Sequence, residues 1–181
     1  RRLPPGDRAQ IHGRIVELAQ ASALPTEPQV ATWLALAVPN PLSAEHRLIL
    51  ATKFKEAIVA TFQAEIKGGL LIGTEGLGEL LAVLPVDHSR PMLIELLTAS
   101  EQAMNRIEQA NPPPMHEVGW LVRATVPELL QYRGQFSAEE TARIARLYIR
   151  INMQIGGRRL AIHELNGQRS LPPGTAQQLI T

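Results

Sequence analysis

The sequence predicts an all-α fold: a compact bundle of about seven or eight helices around one long central helix at 44–67. Three observations predict it. The first is a set of three capping boxes, Thr26-Glu27-Pro28-Gln29, Thr125-Val126-Pro127-Glu128 and Ser137-Ala138-Glu139-Glu140. In such a box the hydroxyl accepts from an unpaired first-turn amide, and the Glu or Gln three residues on accepts from the amide of the cap itself. The second is a run of Leu50, Phe54, Ile58, Phe62 and Ile66, one apolar residue every four, which lies on a single helical face. The third is punctuation: Pro39-Asn40-Pro41, Gly68-Gly69 and Asn111-Pro112-Pro113-Pro114 each end a periodic stretch. Proline removes a donor and restricts the residue before it, and glycine enters the left-handed conformation without steric cost.

The elements follow in order. Leu3-Pro4-Pro5-Gly6 leads into a helix over 8–21, capped by Asp7, whose apolar positions include Ile11, Ile15, Val16 and Leu18. Thr26 opens a helix to Val38 with Trp33, Leu34 and Val38 as core candidates. Ser43 caps the long helix at 44–67, and a glycine-dense connector at 68–78 precedes a short helix over 76–84. Ser89 caps a helix over 90–110 that turns Leu93, Leu97, Met104 and Ile107 inward. Helices over 115–124 and 126–133 follow the triple proline, which is the best internal boundary of an otherwise single domain over 1–181. Ser137 opens the last long helix, with Ile144, Leu147, Tyr148, Ile151 and Ile155 on one face. The same region alternates at Leu147, Ile149, Ile151, Met153 and Ile155 before Gly156-Gly157, so a C-terminal β-hairpin over 147–165 is the competing reading. Leu171-Pro172-Pro173-Gly174 repeats the opening Leu3-Pro4-Pro5-Gly6, most simply as one pre-helix turn used twice, since no regular period links units between them.

Composition narrows the chemistry. An apolar share of 45% in 181 residues excludes a disordered tail. With no Cys, disulfides, thiolate metal sites and a Cys nucleophile are impossible. No apolar run approaches the roughly 18 residues of a membrane span. The chain starts at Arg1, which reads as the inside of a longer protein, either cytoplasmic or secreted through signals elsewhere. Fifteen Arg against three Lys is a bias of GC-rich bacterial genomes. Residues 75–128 hold eight acidic groups against three Arg, whereas 129–181 hold seven Arg against three Glu. An acidic middle and a basic end serve docking of the two halves better than they serve nucleic acid, because global basicity is lacking at a net charge of +1.

The motifs of catalysis and cofactor binding are absent. His12, His46, His88, His116 and His163 include no pair at the spacing that places two zinc ligands on one helix face, so no metal site is expected, and most are read as solvated. Asp87-His88-Ser89 holds the residue types of a hydrolase triad, but sequence neighbours cannot take up its geometry. Gly68 and Gly73 have P-loop spacing, yet Thr74 stands where Lys is required. No cofactor is therefore expected.

Two surfaces remain. Leu70, Leu71 and Ile72 of the connector, with Trp120, are apolar candidates for contact with a partner. Arg143, Arg146 and Arg150 stand three and four apart on one helix face, extended by Arg158 and Arg159. That face is first of all a complement to the Glu-rich middle, and second a place to steer an acidic protein partner. Only seven aromatics occur and none punctuates the arginine row, which disfavours single-stranded nucleic acid. The functional expectation is a non-enzymatic protein-interaction or scaffold module of a larger bacterial protein, such as a secreted virulence effector or secretion-associated component. The rival is an enzyme whose His and Glu residues are assembled from different helices, and a third reading is an anionic-surface or nucleic-acid binder.

Overall fold

A computed structural model describes residues 4–21, 27–38, 42–63, 74, 76–109, 125, 126, 129 and 132–167, with side chains through Met153 apart from that of Arg133. The described residues contain six α-helices and no strand, so the all-α class holds. They are α1 Pro5–Ala21, α2 Glu27–Ala37, α3 Ala44–Gln63, α4 Leu77–Ala82, α5 Val86–Gln109 and α6 Ala138–Gly167, with a 3-10 turn at Arg133–Gln135. The helix expected at 115–124 lies outside the described residues. Of the one expected at 126–133, Val126 and Leu129 are helical and buried. Packing divides the chain into two compact units, Arg1–Met92 and Leu93–Thr181. The division falls inside α5, while the boundary expected at 111–114 is outside the described residues.

In the first unit α3 is central, touching α1, α2 and α4. Leu50, Phe54, Ile58 and Phe62 are all but fully buried, as their four-residue recurrence predicts. Each such side chain stabilises the fold by about 1.5–3 kcal/mol through burial alone. Ser43 caps α3, its Oγ accepting from the His46 amide at 3.1 Å. Arg47 turns back across the same end and donates twice to the Leu42 carbonyl, at 2.7 and 2.8 Å.

Several starts differ from expectation. Asp7 is not the cap of α1, because the helix already begins at Pro5, whose missing amide is no loss in the first turn. Asp7 lies within that turn, where its charge suits the helix dipole. Ser89 is likewise inside α5, since the helix begins three residues earlier and the Ser89 amide donates to the Pro85 carbonyl at 2.9 Å.

Gly76, the residue before α4, has φ 88°, and a Cβ there would lie 3.2 Å from both Thr32 Cγ2 and Trp33 Cδ1. Glycine is required twice over, for the left-handed backbone and for the close approach to α2. Gly76→Ala should destabilise the protein by about 1–2 kcal/mol, the strain of a left-handed alanine, and lower Tm by a few degrees. A thermal melt unchanged by this substitution would contradict the close contact.

In the second unit the seam of α5 is Leu93, Leu97, Ser100, Met104 and Ile107, spaced alternately four and three apart and all buried. That is a heptad pattern. Ile144, Leu147 and Ile151, buried on α6, have the spacing of a matching seam. Two ion pairs flank the seams, Glu101 with Arg143 and Glu108 with Arg150. Both partners advance by seven residues together, so α5 and α6 run in the same direction. A connection as long as 110–137 permits this parallel arrangement, which a short loop does not.

The hairpin reading is also corrected. The backbone stays helical through Gly156-Gly157 to Gly167. A strand would turn Tyr148 and Asn152 away from Leu147, Ile149 and Ile151, yet all five are buried. A helix covered over more than half its circumference shows apolar residues at alternate positions as well as at helical spacing, which is why the two patterns coincide. Its wide burial includes an imperfect polar group. Asn152 Nδ2 donates to the Tyr148 carbonyl at 2.9 Å, while Oδ1 is buried without a partner. An orphan acceptor of this kind costs about 1–3 kcal/mol.

Candidate interaction surface

Helix α2 departs furthest from its sequence expectation. It has no charged residue after Glu27, and it is apolar on every side. Such a helix is normally enclosed. Instead Trp33 and Leu34, expected in the core, are 46% and 54% exposed, and Val30 is 46% exposed. The buried face is made of Pro28, Gln29, Ala31, Thr32 and Ala35. Three of the four large apolar side chains, Val30, Trp33 and Leu34 but not Leu36, therefore face solvent, and small or polar ones make up most of the inner face.

The reason lies in how closely the neighbours approach. His12 of α1 is 3% exposed, and its Nε2 is 3.1 Å from the Ala35 carbonyl. A bulky residue at position 35 would hold the imidazole away from that backbone oxygen. Thr32 is fully buried because its hydroxyl is satisfied locally, donating to the Pro28 carbonyl at 2.8 Å. Gly76 closes on the same stretch through Thr32 and Trp33. The His12 ring at the Ala35 backbone and the Gly76 backbone beside Thr32 leave the small side chains Ala31, Thr32 and Ala35 on the inner face. Most of the histidines are read as solvated from the sequence; His12 is an exception, and its burial follows from this fit.

Val30, Trp33, Leu34 and Ala37 stand at the i, i+3, i+4, i+7 positions of one stripe. The three half-exposed large side chains leave on the order of 250–300 Å² of apolar surface in water, close to the largest patch of an ordinary monomer. A Cβ added at Gly76 would lie 3.2 Å from Trp33 Cδ1, so one edge of the indole runs close to that backbone. A fixed aromatic anchor loses little conformational freedom when a partner covers it.

The arginine face is built differently. Arg143 grips Glu101 with two bonds, Nε to Oε1 at 3.0 Å and Nη2 to Oε2 at 2.6 Å. Arg150 repeats the geometry on Glu108 at 3.0 and 2.6 Å, and its Nη2 also donates to Asn105 Oδ1 at 2.6 Å. Each guanidinium pKa is raised, first by its hydrogen bonds to the carboxylate and further by that carboxylate's field, with partial burial acting the other way. The expected match between basic end and acidic middle is thus realised within the second unit. Arg146 is exposed and makes no ion pair with another described residue. The side chains of Arg158 and Arg159 lie outside the described residues, although their backbone belongs to α6. Leu70, Leu71, Ile72 and Trp120 also lie outside them.

Of the histidines proposed for an assembled site, His46 is in the first turn of α3 and His88 is exposed in the first turn of α5, while His116 is outside the described residues. Among the described residues no group of three or more His, Asp or Glu side chains is arranged to hold a metal ion. No described helix is long and apolar enough to cross a membrane. Comparisons with family models, with curated proteins and with solved structures give no match for the chain.

Proposed function

We propose that this chain is a non-enzymatic protein-interaction or scaffold module that docks a partner through the outer face of α2. The observation that carries this reading is the exposure of Val30, Trp33 and Leu34 on one face of a helix with no charge after Glu27. A helix face of this kind is read by a partner as anchors at i, i+3 and i+4, with apolar burial supplying the affinity. Covering the stripe is worth about 6–7 kcal/mol of burial before the costs of association are subtracted.

The docking role moves from the arginine face to α2 because Arg143 and Arg150 are already bonded to Glu101 and Glu108. Arg146 remains available to steer an acidic partner. The wider setting, a secreted effector or secretion-associated component of a bacterium, rests on the Arg excess and on the lack of catalytic motifs in the sequence, and is not needed for this mechanism.

The test compares capture by the wild-type chain with capture by Trp33→Glu/Leu34→Glu from bacterial and host-cell lysates. Both side chains are half exposed, so circular dichroism and Tm should stay close to wild type. The reading expects at least one partner that the wild type retains and the variant loses by tenfold or more. Identical retained sets would overturn it.

A further inference from the structure

We propose that His12 is the positioning residue of the α2 face: its Nε2–H caps the last turn of α2 at Ala35 and thereby decides which side of the helix is turned outward. The inference rests on the docking reading above and names what sets that surface.

The need for a donor is written in the sequence. In an α-helix the carbonyl of residue 35 accepts from the amide of residue 39, and residue 39 is proline, which has none. Ala35 is fully buried, so bulk water does not replace that donor. The last turn of α2 holds no basic side chain to do so either. His12 of α1 does: its ring is buried, and Nε2 lies 3.1 Å from the Ala35 carbonyl oxygen. A carbonyl only accepts, so the proton sits on Nε2, and in the neutral ring Nδ1 carries none.

Position on the helix turns this cap into a choice of face. At about 100° per residue, Ala35 stands roughly 150° round α2 from the centre of the Val30, Trp33 and Leu34 stripe. A rotation that carried the stripe inward would carry the Ala35 carbonyl away from His12 and break the bond between two buried groups. Apolar burial alone pulls the other way, because it favours Trp33 and Leu34 inside over Ala31 and Ala35. The Thr32 hydroxyl does not oppose that pull: it donates to the Pro28 carbonyl of the same helix and turns with it. The His12 bond is anchored on α1, so it resists the rotation and holds the large side chains out.

The absence of native Cys lets one introduced thiol report the rotation in the whole 181-residue chain. Ala37 is exposed near the middle of the stripe, so Ala37→Cys keeps every large side chain of α2 in place. Its reaction with a small aromatic disulfide reagent is timed with His12 present, in His12→Leu and in His12→Gln, whose side-chain amide offers a donor near the place of Nε2. The expected result is a rate that falls by about tenfold in His12→Leu, the effect of one lost buried hydrogen bond, and returns close to its starting value in His12→Gln. A His12→Leu chain that keeps its helical circular dichroism and reacts as fast as the chain with His12 would overturn the proposal. A second measurement needs no variant: in mildly alkaline buffer, long-range proton–nitrogen NMR correlations should place the His12 proton on Nε2. A ring protonated on Nδ1 instead would overturn the proposal even where His12→Leu did not fold. Neither measurement involves a partner, so failure here leaves the docking reading standing, and that reading falls only on the capture comparison with Trp33→Glu/Leu34→Glu.

Discussion

Phe54→Ala is expected to cost about 3–5 kcal/mol, a large part of the roughly 5–15 kcal/mol that holds a typical domain folded. Phe54 is fully buried on α3, the helix that touches α1, α2 and α4, so the cavity left by its ring is lined from several sides at once. A site enclosed in this way collapses poorly, and the cavity adds to the lost transfer free energy. Trp33→Ala should cost no more than about 1–2 kcal/mol, because close to half of the indole already faces water. Urea denaturation followed by circular dichroism measures both. Equal midpoints for the two variants would mean that Trp33 is a core residue and that the α2 face is not exposed.

That contrast also marks how far the sequence is legible. On α3 the recurrence of Leu50, Phe54, Ile58 and Phe62 names the buried face correctly, since these four are large and the exposed positions include Glu45 and Glu56. Helix α2 has no charged face to break the tie. Size then becomes the natural guide, and it fails, because the neighbours approach closely enough to require Ala31, Thr32 and Ala35 on the inside. The His12 contact with the Ala35 carbonyl is between residues 23 apart in sequence, and no local pattern announces it. The one signal in the sequence is the run from Pro28 to Ala44 without a charge: a helix apolar on both faces in a chain of this size leaves one of them outside or covered by something else.

Capping shows the opposite case. At Ser137 the box is formed in both directions, with the Ser137 amide donating to Glu140 Oε2 at 2.7 Å and the Glu140 amide donating to Ser137 Oγ at 3.1 Å. A cap is written within four residues and can be read from them. Helix direction is not local. The charge blocks on either side of residue 129 predict that α5 and α6 attract, but only the pairing of Glu101 with Arg143 and of Glu108 with Arg150 reveals that they run parallel.

The pairing makes the second large prediction. On the heptads of the two seams, Glu101 and Glu108 occupy e positions and Arg143 and Arg150 occupy g positions, which are the positions that face one another across a parallel pair. Each side chain is about 25–33% exposed, so each bidentate bridge is worth about 1 kcal/mol after screening. Arg143→Glu/Arg150→Glu removes both bridges and opposes like charges at each, for a loss of about 2–3 kcal/mol. Adding Glu101→Arg/Glu108→Arg to the same chain should recover most of it, since the swapped charges face each other in the same register. The raised arginine pKa values set the sign of the arginines' own contribution: it is complete below the unfolded-state value and is lost as pH rises through the strongly alkaline range. Salt is therefore the sharper probe, and the double variant's deficit should shrink as ionic strength rises. An antiparallel pair would not juxtapose 101 with 143 and 108 with 150 simultaneously, so failure of the fourfold swap to recover stability would refute the parallel register itself.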